Sequence, residues 1–189
     1  AIISDPRIQD NNPPGPGANV DAAIAAINAE PNLDFVFVLG DMATRTLMAF
    51  GPSVETPGPW EDSFALALGK LQALQAPWYA TPGDHDYVIE TRLVFHHDVD
   101  FADFDTRDAY LKTQLGAAYP GETPWYAFSH KGVRFVGYNS MAGPLRAQGL
   151  GTTGSVGAAQ LAAIDAELAG TEPVIILGHH GPQVCLEEE

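Results

Sequence analysis

This sequence predicts an α/β fold: a largely parallel sheet covered by helices on both faces. Three observations carry that reading. Short, nearly unbroken apolar runs alternate with helical patterns along the chain. The runs lack the apolar–polar alternation of a half-solvated strand, which is how a strand buried on both faces reads. Four of the runs end in a turn bearing Asp or His, at the position where open α/β sheets hold their ligands.

The elements follow in order. Ala1 to Ser4 reads as a core strand. Asn19 can cap a helix whose Val20, Ile24 and Ile27 share one face. Phe35 to Leu39 is a buried strand, and Asp62 to Leu74 a helix with Phe64, Leu68 and Leu71 on one side. Trp78 to Thr81 is a strand stopped by Pro82-Gly83. Tyr87 to Asp108 is polar, aromatic and irregular and reads as a surface excursion. Trp125 to His130 and Val133 to Tyr138 flank Lys131-Gly132, a hairpin signal. Ala158 to Leu168 is a helix with Leu161, Ile164 and Leu168 facing in, and Val174 to Leu177 a last buried strand. Asn12 to Gly17 and Gly51 to Pro59 are loops rich in Pro and Gly. No repeat or domain boundary interrupts the pattern, so residues 1–189 read as a single domain.

Composition bounds the function. At 46% hydrophobic and 17% charged, the chain can bury a core and is not of the disordered class. No apolar run reaches the length of a membrane span. The chain opens on Ala1 without Met or signal peptide, which implies a processed or trimmed start and fits a soluble, secreted or periplasmic protein. The formal charge of −15 disfavours nonspecific nucleic-acid binding. An anionic substrate would need a local positive charge, which a metal can supply. The lone Cys185 excludes an internal disulfide and a CxxC metal site.

The chemistry sits after the strands. Asp5 follows the first run, Gly40-Asp41 the second, Gly83-Asp84-His85-Asp86 the third and Gly178-His179-His180 the last. Asp and His are the ligand types that hold divalent metals, and the glycines let the chain turn sharply. Any one of these residues alone reads as turn chemistry; the shared arrangement at four strand ends shifts the reading to a site. There is no P-loop, no GxGxxG after a strand, no HExxH and no GxSxG. His96-His97-Asp98 with Asp100 reads as a solvated loop rather than a metal cluster, and His130 as structural. Trp60 and Trp125 read as buried or rim aromatics. Asn139 ends a strand near the site, placed to bond a ligand residue or to turn the chain.

Ile3-Ser4-Asp5, Leu39-Gly40-Asp41, Pro82-Gly83-Asp84-His85-Asp86 and Leu177-Gly178-His179-His180 resemble, in order, the first four motifs of calcineurin-like metallophosphoesterases. That grouping includes purple acid phosphatase-like and cyclic nucleotide phosphodiesterase-like enzymes. Trp125 to Ser140 resembles the family's hairpin and its Asn-Ser corner, and Gly157 to Gly170 the helix before its fourth motif. The resemblance implies a layered sandwich of mixed, largely parallel sheets covered by helices. It implies two divalent metal ions (Mn, Fe or Zn) and hydrolysis of phosphate mono- or diesters by a metal-activated hydroxide. It makes Asp5 a ligand of the first metal and Asp41 the bridging carboxylate. Asp84, where the family has Asn, and His179 become ligands of the second metal. His85 becomes the acid that protonates the leaving group. His180 competes with His179, because His180-Gly181-Pro182 also resembles a family pattern.

Three departures from the family pattern stand out. Arg7 occupies the place of a His ligand, and a guanidinium has no lone pair for a metal. It is expected to pair with Asp5 or to contact phosphate. Asp84 adds a negative charge. The fifth motif, Gly-His-x-His, is absent before Glu189, which reads as a missing C-terminal part. These departures motivate a rival reading: a binding or assembly subunit with an impaired metal site. A nucleotide-binding module without hydrolysis is a weaker third, since no Gly-rich phosphate loop follows a strand.

Overall fold

A computed structural model describes residues 1–8, 17–43, 63–87, 104–120, 125–143 and 154–181. The His96–Asp100 group, Trp60, Cys185, the loop from Gly51 to Pro59 and all of the Asn12 loop but Gly17 lie outside the described residues.

The first half of the fold is a parallel three-stranded sheet, β1 (Ile2–Ser4), β2 (Val36–Leu39) and β3 (Trp78–Thr81), in that order. Ile2 pairs with Phe37, and Val36 with Trp78, so all three strands deliver their carboxyl ends to one edge. Between them run α1 (Ala18–Asn28) and α2 (Ser63–Leu71). Val20 and Ile24 of α1 and Phe64, Ala67, Leu68 and Leu71 of α2 join Val36 and Val38 in the main core cluster. The expected faces of both helices are therefore the buried ones. Their ends differ from expectation. The chain enters α1 through Gly17 at φ 71, with no side-chain cap, so Asn19 lies inside the first turn rather than before it. Past Leu71 the bonds tighten to Ala73 N–H→Lys70 O and Leu74 N–H→Leu71 O, which closes α2 three residues early.

The second half is a mixed sheet, β4 (Trp125–His130), β5 (Val133–Tyr138) and β6 (Val174–Leu177). Strands β4 and β5 form the expected hairpin, turning at Lys131 and Gly132, both with positive φ. Strand β6 lies parallel to β5, with Gly137 beside Leu177. The largely parallel sheet read from the strand pattern is divided into two, as the resemblance to a layered sandwich of sheets implied. They face each other through aromatic rings: Phe35, Phe37 and Tyr79 on one side, and Tyr126, Phe128 and Phe135 on the other. Tyr79 stacks on Phe128 with ring centroids 4.5 Å apart, a contact worth about 0.5–1.5 kcal/mol beyond its area. His130 packs edge-on to Phe35, a structural role as expected. Helix α5 (Ala158–Leu168) covers the outer face of the second sheet, where Leu161 and Ile164 pack on Tyr138 and Val156. The result is a layered α/β sandwich.

Three burial expectations fail. Ile2 is exposed, leaving only Ile3 of β1 in the core. Leu168, at the end of α5, is exposed. Ile175 and Ile176 are 44% and 41% exposed: among the described residues β6 pairs with β5 on one side only, and of its residues only Leu177 is buried. Of the segment expected to be irregular, Tyr87 closes the one-turn helix α3 (Asp84–Tyr87), Phe104 to Asp108 open α4 (Phe104–Leu115), which ends in a short 3₁₀ turn, and residues 88–103 lie outside the described residues. Leu111 and Leu115 anchor α4 in the core.

Candidate metal centre

The turns after β1, β2, β3 and β6 meet at one edge of the sandwich. Three non-glycine residues there hold left-handed backbone: Asp5 (φ 50), Arg7 (φ 39) and Asp41 (φ 51). Such conformations cost of order 1–3 kcal/mol each and cluster where function holds the backbone. The turns interlock. A Cβ on Gly83 would stand 2.3 Å from Asp41 Oδ1, and one on Gly40 would stand 2.5 Å from the Gly83 nitrogen. Only glycine lets the second and third turns approach this closely.

Asp41 is fully buried. Its Oδ1 accepts the His85 backbone N–H at 3.0 Å and lies 3.3 Å from His179 Nε2. Its Oδ2 faces Arg7, 2.8 Å from the guanidinium Nη2. That approach lacks the alignment of an N–H bond, so Oδ2 receives no directed hydrogen bond although it is buried. The contact is charge pairing. Asp5 Oδ1 lies 3.7 Å from the same nitrogen.

On the other side, His179 Nε2 is 3.1 Å from Asp84 Oδ1, and His180 Nε2 is 3.7 Å from the same oxygen. Both imidazoles are held from behind. His179 Nδ1 bonds the Leu39 carbonyl at 2.9 Å, which puts the proton on Nδ1 and turns Nε2 to the carboxylates. His180 Nδ1 lies 2.7 Å from Ser140 Oγ, and the Tyr138 hydroxyl donates to the His180 carbonyl. His85 is partly exposed at the mouth, its Nε2 3.9 Å from Asp84 Oδ2.

Burial alone would push His179 down. The Asp84 hydrogen bond, the Leu39 carbonyl and the charges of Asp41 and Asp5 outweigh it and raise it to about 9. Burial raises Asp41, and the neighbouring Asp84 charge adds to the rise against the pull of His179. Burial also works to raise Asp84, but its bond to His179 and the nearby imidazoles bring it below the usual range.

Two overlapping donor groups result: Asp84, His179 and His180; and Asp5, Asp41 and His179. Within each group the ligand atoms lie within 4.8 Å of one another. Metal–ligand bonds of about 2.0–2.2 Å put tetrahedral ligands roughly 3.4 Å apart. The 3.1, 3.3 and 3.7 Å separations around His179, Asp41, Asp84 and His180 match that spacing. The buried Asp41 Oδ2, without a directed hydrogen bond, is the oxygen that the Arg7 cation faces.

Of the residues singled out in the sequence, Asp5, Arg7, Asp41, Asp84, His85, His179 and His180 come together. Asn139 sits behind the cluster. Its amide donates to the hydroxyls of Tyr87 at 2.6 Å and Tyr119 at 3.3 Å, its carboxamide oxygen accepts Met141 N–H, and its backbone pairs with the Gln160 side chain. It therefore both turns the chain and ties β5 to α3, α4 and α5. Asp86 was read only as part of its motif, and its structural role was missed. It is fully buried and accepts N–H bonds from Gly83 and Met42 at 2.9 Å and from Ala43 at 3.5 Å. Burial first, then the Asp41 charge, raise it to about 7 against these bonds. Its position, three after Gly83 at the start of α3, is that of the reciprocal partner in a capping box, and that was the available signal.

The chain matches the family described as calcineurin-like phosphoesterase over residues 1–188. No curated protein matches. Among solved structures, a phosphopantetheinyl hydrolase from Mycobacterium tuberculosis is similar at 16% identity and a TM-score of 0.52, over 95% of this chain and 67% of that one. At that identity the likeness speaks for the fold alone.

Proposed function

This chain belongs to the calcineurin-like phosphoesterase family, and from that premise we propose that it hydrolyses phosphate mono- or diesters at the centre where Asp5, Asp41, Asp84, His179 and His180 converge. The observation that carries the reading is the gathering of these donors from four strand ends to within 4.8 Å in each group. A divalent ion, when bound, supplies Lewis acidity, lowering the pKa of water and offsetting phosphoryl charge; Asp and His ligation suits Mn, Fe or Zn.

The chain's own residues do the rest. Asp84, His179 and His180, or Asp5, Asp41 and His179, would hold the ion. The Leu39 carbonyl and Ser140 fix the two imidazoles, so that little reorganisation is needed on binding. Arg7, with about half of its side chain exposed, presents a fixed positive charge toward an entering phosphate. His85, at the mouth and anchored through its backbone to Asp41, is placed to give a proton to the departing oxygen. The loops from Thr44 to Trp60 and after Tyr87 would set the substrate, and they lie largely outside the described residues.

The test is turnover with Mn²⁺ present. Asp41→Asn is expected to lose about a hundredfold or more in kcat. His85→Ala is expected to lose about 10²–10⁴-fold on an alkyl ester and far less on an aryl ester, whose leaving oxygen needs no acid. Unchanged turnover in both variants would remove the mechanism. A folded wild-type chain that takes up no Mn²⁺ or Zn²⁺ would favour the rival reading, a binding or assembly subunit, which the Arg7–Asp41 contact motivates.

A further inference from the structure

We propose that Arg7 fills one of the two cation positions of this centre with its guanidinium, so that the chain is built to hold a single divalent ion, on the Asp84 side. The inference rests on the proposed function and sets its stoichiometry.

Three observations converge on it. The two donor groups share His179. Its Nδ1 is committed to the Leu39 carbonyl, so only Nε2 can ligate. One imidazole nitrogen offers one lone pair and can serve one ion. Both groups therefore cannot be completed at once.

Arg7 decides between them. Its Nη2 stands 2.8 Å from Asp41 Oδ2 and 3.7 Å from Asp5 Oδ1, between the two carboxylates of the second group. An ion there would need bonds of about 2.0–2.2 Å to the same oxygens. It would have to displace a like charge already in place.

Asp41 divides its oxygens accordingly. Oδ2 faces the guanidinium, and Oδ1 faces His179, 3.3 Å away. The ion's place is then with the group of Asp84, His179 and His180, which Asp41 Oδ1 borders through His179. His180 completes that group, steadied by Ser140. The backbone supports the placement. Arg7 N–H donates to the Asp41 carbonyl at 2.9 Å, and Ile8 bridges to Ala43, which bends the chain after β1 over the second turn. The left-handed φ of 39 at Arg7 is part of that bend.

Charge balance agrees. Asp5, Asp41 and Asp84 carry three negative charges. One guanidinium and one divalent ion cancel them.

The test counts Mn²⁺ on the wild-type chain and on Arg7→His, after equilibration with excess Mn²⁺ and removal of the free ion. We expect about one ion per wild-type chain and about two in the variant, whose new imidazole would join Asp5 and Asp41. Paramagnetic resonance should show an isolated six-line Mn²⁺ signal in the wild type and an exchange-coupled pair in the variant. Two coupled ions in the wild type, or one ion in a folded Arg7→His, overturn the inference and leave the phosphoesterase reading standing. No ion in either chain defeats that reading itself. Should Arg7→His fail to fold, anomalous scattering from Mn²⁺-soaked wild-type crystals still decides. One peak beside His180 supports the inference, and a peak between Asp5 and Asp41 overturns it.

Discussion

At the proposed centre, His179 would make metal binding and proton release one event. The metal-free imidazole is raised to about 9 by Asp84, Leu39, Asp41 and Asp5 against the opposing effect of burial. At neutral pH its Nε2 carries a proton that an ion must expel. Apparent Mn²⁺ affinity is therefore expected to rise with pH up to about 9 and then level off, by at most about tenfold per unit for one proton. Calorimetric titration in buffers of different ionisation enthalpy should count one proton released per ion near pH 7.5. A count of zero would mean that Nε2 is already bare. The same residue sets the pH dependence of metal-free stability. A folded value raised above the ordinary 6.5 contributes stability that is complete below about 6.5 and is lost as pH rises through about 9. Asp84 acts at the other limit, because its lowered value makes its contribution disappear as pH falls. His179→Gln should flatten the alkaline side of the curve and also weaken the acid side, because Asp84 owes much of its lowering to the bond with His179.

At the scale of elements, two glycines should answer alanine with opposite signs. Gly69 lies in α2, and a Cβ there meets nothing within 4 Å. Gly69→Ala is expected to stabilise by about 0.5–1 kcal/mol, because a helix interior favours alanine, raising Tm by roughly 1–4 °C. Gly83 ends the turn after β3, where a Cβ would stand 2.3 Å from Asp41 Oδ1 and 3.0 Å from the His179 ring. Gly83→Ala should push the second and third turns apart and lose most Mn²⁺ binding while far-ultraviolet circular dichroism stays close to wild type. Retained Mn²⁺ binding would show that the turns are less tightly interlocked than they stand. The contrast bears on what the sequence made legible. β2, β3, the hairpin and α5 were readable because their apolar runs have one period and clear stops. Helix α4 was not, because Phe104–Leu115 is mostly polar and touches the core chiefly through Leu111 and Leu115. The exposure of Ile175 and Ile176 was hidden for the opposite reason. An apolar run reads the same whether its strand is paired on both sides or on one, and the strand order among the described residues gives β6 a single neighbour. The site was legible as a set of strand-end residues. Its internal division was not, since the sequence left Arg7 free to pair with Asp5 or with phosphate, and the structure turns it mainly to Asp41.

The whole molecule carries a formal charge of −15, against a centre that would have to attract an anion under the proposed function. A phosphate ester approaching from a distance meets repulsion from the acidic surface. Only within a few ångströms do Arg7 and a bound ion reverse the sign. Salt screens the two effects unequally: the Debye length is about 30 Å at 0.01 M ionic strength and about 8 Å at 0.15 M. The long-range repulsion is therefore lost first, and the short-range attraction at the mouth survives. Raising KCl over that range is expected to increase kcat/KM for a phosphodiester by about two- to fivefold, mostly through KM, with kcat unchanged. Most anion-binding sites respond in the opposite direction, so the sign is the informative quantity. A fall in kcat/KM with salt would mean that the positive charge at the mouth projects beyond the acidic surface and steers substrate from afar. Arg7→Gln should then show a weaker salt dependence than wild type. If the rise holds, Arg7→Gln should keep the same slope at a lower absolute rate, because the guanidinium would act only after the substrate has arrived.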